Sequence, residues 1–275
     1  MGIGTSYGAV TVINAIPCGI GSTIGVDLVT KAEFIPGGSE KIVKIVNDPS
    51  ENDFMARTCV RTALEHISKN AEGWTLTIDS EIPISKGLKS SSSACNAIIS
   101  AVLNEYGREM NVIEMIRMGV KCARLSDVTV TGAFDDACGC HLGGLVVTDN
   151  ETNRIVSIRD IDEYDVVIHI PDGKTRKPSI QREMFEPIIK GMETAIECVH
   201  RDPFKAMTLN GSMISSVLGG GSVAETALKN GALAAGLSGT GPATAAIIER
   251  GKGKKLSEKL GNSIVTRTRG LAYDL

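Results

Sequence analysis

Residues 83–94 read Pro-Ile-Ser-Lys-Gly-Leu-Lys-Ser-Ser-Ser-Ser-Ala, and few folds suit the way this run is flanked. Before it, Trp74, Leu76 and Ile78 alternate with Thr75, Thr77 and Asp79, the period of a half-buried strand. After it, Ala94, Ala97, Ile98, Ala101, Val102 and Tyr106 recur at helical spacing, and Gly107 is placed to end the helix. A glycine/serine loop leading from strand to helix offers unpaired N–H groups and a positive dipole end, which together suit an anion. Gly87 lets backbone approach a ligand closely. The hydroxyls of Ser90, Ser91, Ser92 and Ser93 can donate to phosphate or hold a metal ion. The loop is not the G-x-x-x-x-G-K-[ST] type, because Gly87-Leu88-Lys89-Ser90 lacks a first glycine at the required offset. A flexible serine loop before a capped helix has the same composition, so the run alone does not decide between the two.

Two other segments carry chemistry. Gly236-Leu237-Ser238-Gly239-Thr240-Gly241-Pro242-Ala243 is a glycine turn between strand-like runs at 232–237 and 243–248, a pattern that a plain tight hairpin shares. Pro242 has no N–H and cannot donate to phosphate. Thr131-Gly132-Ala133-Phe134-Asp135-Asp136-Ala137, followed by Gly143-Gly144, sets two carboxylates side by side. Adjacent acids often mark a solvated turn. Here Ala133, Phe134 and Ala137 argue that at least one carboxylate is partly buried. Cys138, Cys140 and His141 lack a second ligand pair at zinc spacing and read as small side chains packed beside the Gly-Gly turn. His66, His169 and His200 sit in apolar-periodic stretches and read as structural, and no Ser-His-Asp or Cys-His spacing is present.

Strand patterns occupy 9–14, 24–34, 41–47, 145–148 and 165–170, with Gly19, Gly21 and Gly25 between or at the edges of the first two. Helices are predicted after Ser50 and Asp53, after the Asn111/Glu114 capping pair, over 188–199, from Pro203, and from Ser222 to Gly231. The stretch 150–163 is polar and charged and divides the chain into lobes at 1–155 and 156–275. Mixed elements without regular βαβ alternation predict an α+β protein. The formal charge of −3 and the 4% aromatic content argue against a nucleic-acid partner. No apolar run is long enough to span a membrane, and the first residues lack the pattern of a signal peptide. The seven scattered cysteines then fit reduced thiols in the cytoplasm.

The run P-x-x-x-G-L-x-S-S-S, the 236–243 turn and the acidic string, in their places, resemble motifs of the GHMP kinases (galactokinase, homoserine kinase, mevalonate kinase and phosphomevalonate kinase). The resemblance implies two lobes, an N-terminal one like ribosomal S5 domain 2 and a ferredoxin-like C-terminal one, with a left-handed βαβ crossover that departs from the usual hand. It implies a nucleotide site at Pro83, Lys86, Gly87, Leu88, Lys89, the four serines, Ala94, Ser238, Gly239 and Gly241. It implies a catalytic aspartate, with Asp135 favoured by counting from Gly132 and Asp136 by counting back from Gly143-Gly144. ATP and Mg²⁺ follow as cofactors. Relatives carry a metal-binding glutamate where Ala123-Arg124 stand here, Asp127 being the nearest acid, so Ser91 and Ser92 are the candidate metal contacts. Residues 9–16, the glycines Gly19, Gly21 and Gly25, Asp27-Leu28 and the acidic string resemble the archaeal shikimate kinases across nearly the whole chain. That implies phosphorylation of the 3-hydroxyl of shikimate in aromatic amino-acid biosynthesis, against homoserine, mevalonate or a silent sensor on the same fold. Shikimate's carboxylate calls for an Arg or Lys. The basic loop of Lys174, Arg176 and Lys177 is one source, although exposed loop charges are more often solvating.

Overall fold

The computed structural model describes residues 1–127, 129, 132–171 and 180–273. Thr131 and the basic loop with Lys174, Arg176 and Lys177 lie outside the described residues.

The first sheet is built on β2 (Ile20–Pro36), a strand long enough to serve two neighbours along one edge. Its first half pairs with β5 (Leu145–Asp149) and its second half with β4 (Trp74–Ser80), both antiparallel. The other edge takes β1 (Gly2–Ile13) over nearly its whole length. β3 (Lys41–Ile45) runs parallel to β4, and β6 (Arg154–Arg159) closes the far edge against β5. The outer half of β1 alternates buried with exposed residues, and its inner half, Gly8 to Ile13, is buried on both faces. That switch marks where the second lobe covers the sheet. The second sheet is antiparallel, in the order β10 (Ser263–Arg267), β7 (Asp165–His169), β9 (Thr244–Ile248), β8 (Ala234–Leu237).

Helix α1 (Ala15–Cys18) turns the chain from β1 into β2. Helices α2 (Phe54–His66), α3 (Ser90–Glu105), α4 (Val112–Leu125) and α5 (Phe134–Leu142) pack on the first sheet around Phe34, Trp74, Ile98, Ile116 and Phe134. In the second lobe a 3-10 stretch (Arg182–Ile188) leads into α6 (Ile189–Val199), followed by α7 (Pro203–Leu218), α8 (Gly221–Lys229) and α9 (Gly253–Leu260). One core runs across the lobes: Val10, Val12 and Ile24 of the first sheet share it with Phe185, Met207 and Ile247 of the second lobe. No helix among the described residues is long and apolar enough to cross a membrane.

The expected elements form, with informative exceptions. Asn111 caps α4 through its side chain, and Asp202 caps α7 ahead of Pro203. The Ser222/Glu225 pair does not cap α8, whose N-cap is the left-handed Gly220. From Phe134 on, the acidic string belongs to a helix, α5, that its pattern hides. All its residues except Asp136 are buried, so it has no polar stripe. The polar stretch at 150–163 contains β6, whose outer face is solvated, so the first sheet continues to Arg159, beyond the expected lobe boundary at 155.

Candidate active site

Two helices begin at one cleft of about 440 Å³. Lys89 holds a left-handed backbone (φ 69°) that turns the serine loop into α3. The first bond inside the helix runs from Ser93 N–H to the Lys89 carbonyl (3.0 Å), which leaves the N–H groups of Ser90, Ser91 and Ser92 without intrahelical acceptors. All three serines line the cleft. Opposite them Ala133, also left-handed (φ 51°), starts α5 and puts Asp135 and Asp136 in its first turn. Gly239 and Thr240 of the hairpin turn complete a third wall with Thr11 and Asn14 from the end of β1.

The loop and the hairpin are tied directly. Ser238 Oγ donates to the Gly87 carbonyl (2.9 Å), and Ala243 N–H donates to the Lys86 carbonyl (3.2 Å). Gly239 N–H donates to Thr11 Oγ1 (2.8 Å), and Asn14 Nδ2 donates to the Gly239 carbonyl (2.9 Å). Gly87 adopts φ +80°, and a Cβ there would lie 2.1 Å from the Ser238 carbonyl oxygen. The glycine is therefore needed for contact between loop and hairpin, not only for room beside a ligand.

The two aspartates differ in environment. Asp135 is 4% exposed, and its carboxylate Oδ1 accepts from Asn150 Nδ2 at 2.7 Å. Asn150 Oδ1 accepts in return from the Asp135 N–H (3.1 Å) and from Thr148 Oγ1 (2.7 Å), which fixes the amide's orientation. Burial, then the neighbouring charge of Asp136, push the Asp135 carboxyl up to about 7, against the opposing pull of Lys89 and Asn150. Asp136 instead pairs with Lys89, Nζ to Oδ1 2.7 Å. Burial disfavours the Lys89 ammonium, but the charges of Asp136 and Asp135 and the hydrogen bond to Asp136 outweigh it and raise its pKa. Lys89 thus links the serine loop to the acidic turn as a charged strut.

Of the sequence candidates, Gly87, Lys89, Ser90, Ser91, Ser92, Gly239, Asp135 and Asp136 meet at the cleft. Leu88 and Ser93 are buried behind it, with Ser238 and Gly241 inside the hairpin contact. Lys86 points away, donating to the Pro171 carbonyl at 3.2 Å. Pro83 and Ala94 flank the loop without lining the cleft. Asp127 lines the cleft from beyond the end of α4. Cys138 and Cys140 are fully buried, and His141 stacks on Tyr273 and hydrogen-bonds its hydroxyl at 2.9 Å. Sequence reasoning missed Asn150, Thr148, Thr11 and Asn14. Thr11 and Asn14 lie in the 9–16 run, which carried the resemblance without a role for either, and they line the cleft directly. Asn150 and Thr148 sit in no motif and act through Asp135. Gly21 was visible only as one of a glycine series. A Cβ there would come 2.5 Å from Asp135 Cγ and Oδ2.

The family profile of the GHMP kinases N terminal domain matches residues 55–144, and that of the GHMP kinases C terminal matches residues 222–265. Shikimate kinase of Methanococcoides burtonii is 39% identical over 265 residues, covering 94% of this chain and 92% of its own. Shikimate kinase of Pyrococcus furiosus is 35% identical, covering 98% and 99%. A crystal structure of mevalonate kinase superposes with a TM-score of 0.80 at 17% identity over 98% of this chain and 99% of its own. Homoserine kinase from Cytophaga hutchinsonii superposes with a TM-score of 0.73 at 17% identity over 98% and 96%. These solved structures share the fold, and the sequence relatives share most of their length with this chain, which belongs to the GHMP kinase family alongside the archaeal shikimate kinases.

Proposed function

We propose that this chain transfers the γ-phosphoryl group of ATP to the 3-hydroxyl of shikimate, giving shikimate 3-phosphate and ADP. The observation that carries the reading is Asp135. It is a buried carboxylate, locked by Asn150, in the same cleft as the unpaired N–H groups at the start of α3. The acceptor's identity is supported by curated relatives at 35–39% identity that carry the name shikimate kinase.

The N–H groups of Ser90, Ser91 and Ser92 suit phosphate oxygens, aided by the dipole of a four-turn helix. Among the described residues no group of three or more His, Cys, Asp or Glu could hold a metal ion. The donor set therefore fits an ion held largely by phosphate oxygens, with Ser91 or Ser92 supplying a hydroxyl. Mg²⁺ bound there would neutralise charge on the transferring group. Asp135 orients the acceptor hydroxyl and takes its proton as the new O–P bond forms and the bond to the ADP oxygen breaks. Asp136 holds Lys89, whose ammonium limits the rise in the Asp135 pKa. The test is ADP release with Mg-ATP across shikimate, homoserine, mevalonate and galactose. Shikimate is expected to give the highest kcat/KM, and a higher value for another acceptor would end the shikimate assignment.

Gly21→Ala is expected to injure the reaction without changing any reacting group. The added methyl must displace the Asp135 carboxyl, because β2 is held between neighbouring strands on both edges. A displacement on the ångström scale costs roughly 10²-fold in rate. Steady-state kinetics should show that loss in kcat, with the KM for ATP little changed, since α3 does not move.

A further inference from the structure

A second cavity, of about 260 Å³, adjoins the cleft and shares Ala15 and Ile16 with it. Asn150 lies on its wall, and the same side chain grips Asp135, which lines the first cleft, so Asn150 connects the two spaces. Among the described residues, the charged groups lining this cavity are Arg124, Arg182 and Glu151, two guanidiniums to one carboxylate. Arg124 lies across the turn that starts α5: a Cβ on Gly132 would be 2.3 Å from its Nε. Arg182 donates from Nε to the Pro17 carbonyl (3.4 Å) and from both Nη atoms to Glu151 Oε1 (3.3 Å each). The side chains of that ion pair are 56% and 64% exposed, so a competing carboxylate displaces it at little cost. Phosphate binding by the α3 N-terminus uses none of these groups.

We infer that the cavity anchors the carboxylate of the acceptor, with Arg124 and Arg182 as the residues that set specificity for a hydroxy acid. The inference rests on the proposed reading, since shikimate carries a carboxylate and the reacting hydroxyl on one small ring. A guanidinium fork matches a carboxylate in plane and charge. With the hydroxyl at Asp135 and the carboxylate in the second cavity, the ring is held from two ends, and the hydroxyl faces the phosphate side.

The test compares kcat/KM for shikimate and for shikimate methyl ester in the wild type, Arg124→Met, Arg182→Met and Arg182→Lys. The wild type should prefer the acid by roughly 30-fold or more, the scale of a charge-assisted hydrogen bond. Each Met variant should lower kcat/KM for the acid by roughly 10- to 100-fold and bring the acid-to-ester ratio toward one. The KM for ATP should stay within about twofold, because the phosphate contacts are untouched, and Arg182→Lys should recover part of the ratio. A structural lesion would lower acid and ester together and leave their ratio unchanged. Arg182 is exposed, so its truncation keeps the test decisive even if Arg124→Met folds poorly. A wild-type ratio preserved in Arg182→Met overturns the assignment of Arg182, and in both Met variants the whole inference. If the wild type ignores shikimate but phosphorylates another hydroxy acid, the shikimate reading fails. The ratio, measured with that acid and its ester, still decides the carboxylate anchor.

Discussion

Replacing Asp135 by asparagine is expected to lower kcat by roughly 10²-fold or more, the scale of losing a general base, with little change in ATP affinity. Asparagine keeps the size of the side chain and can still meet Asn150, but it carries neither charge nor basicity. Asp136→Asn is the control: it should disturb Lys89 and leave a carboxylate at the acceptor. A large loss in Asp136→Asn alone would move the base one residue along, and normal turnover in both variants would remove the aspartate mechanism. The pH profile carries the same signature. The Asp135 carboxyl titrates at about 7, and only its ionised form accepts a proton, so wild-type kcat/KM should fall as pH drops below that value. Stability runs the opposite way. The folded protein holds a proton on Asp135 that the unfolded chain releases near 3.8, so this group costs stability increasingly from pH 4 to pH 7 and keeps its full cost above. Asp135→Asn removes that cost. Its melting temperature relative to wild type should therefore be higher at pH 8 than at pH 5, which also shows that the inactive variant is folded.

Lys89→Met should produce the second large effect, and in two measurements at once. The lysine side chain is 5% exposed and its partner Asp136 is 20% exposed. Removing the ammonium strands a partly buried carboxylate, at a cost of up to about 3 kcal/mol, the low end for breaking a buried pair because Asp136 keeps some water. Because the Lys89 pKa is raised from an ordinary value of 10.5, its stabilisation is fully present at neutral pH and is lost only in strong alkali. The destabilisation should therefore appear across the neutral range in urea titrations. The kinetic effect follows from the charge balance. Lys89 pulls the Asp135 pKa down, so without it the acidic limb of kcat/KM should move above 7. An unmoved limb would mean that Lys89 serves phosphate alone and that its ion pair is incidental to the base.

Much of this molecule was legible as pattern. The alternation at 74–79, the helical spacing after the serine run and the glycine hairpin lie where period and turn chemistry put them, and they bring Gly87, Ser90, Ser91, Ser92 and Gly239 to one cleft. These are local properties: a strand period, a left-handed turn and a helix start depend on neighbours within a few residues. Other features were set only by the fold. α5 shows no amphipathic stripe because it is buried nearly all round, so nothing in its own run of residues announces a helix. The difference in environment between Asp135 and Asp136 depends on Asn150 and Lys89, which come from β5's end and the serine loop. Gly21 reads as one of several glycines between two strands until α5 places Asp135 against it. The chain alone determined which segments could cradle phosphate and which acids were available. Tertiary packing decided which acid is dehydrated, which is held by an amide and which is neutralised by a lysine, because desolvation and charge pairing act between groups far apart in sequence.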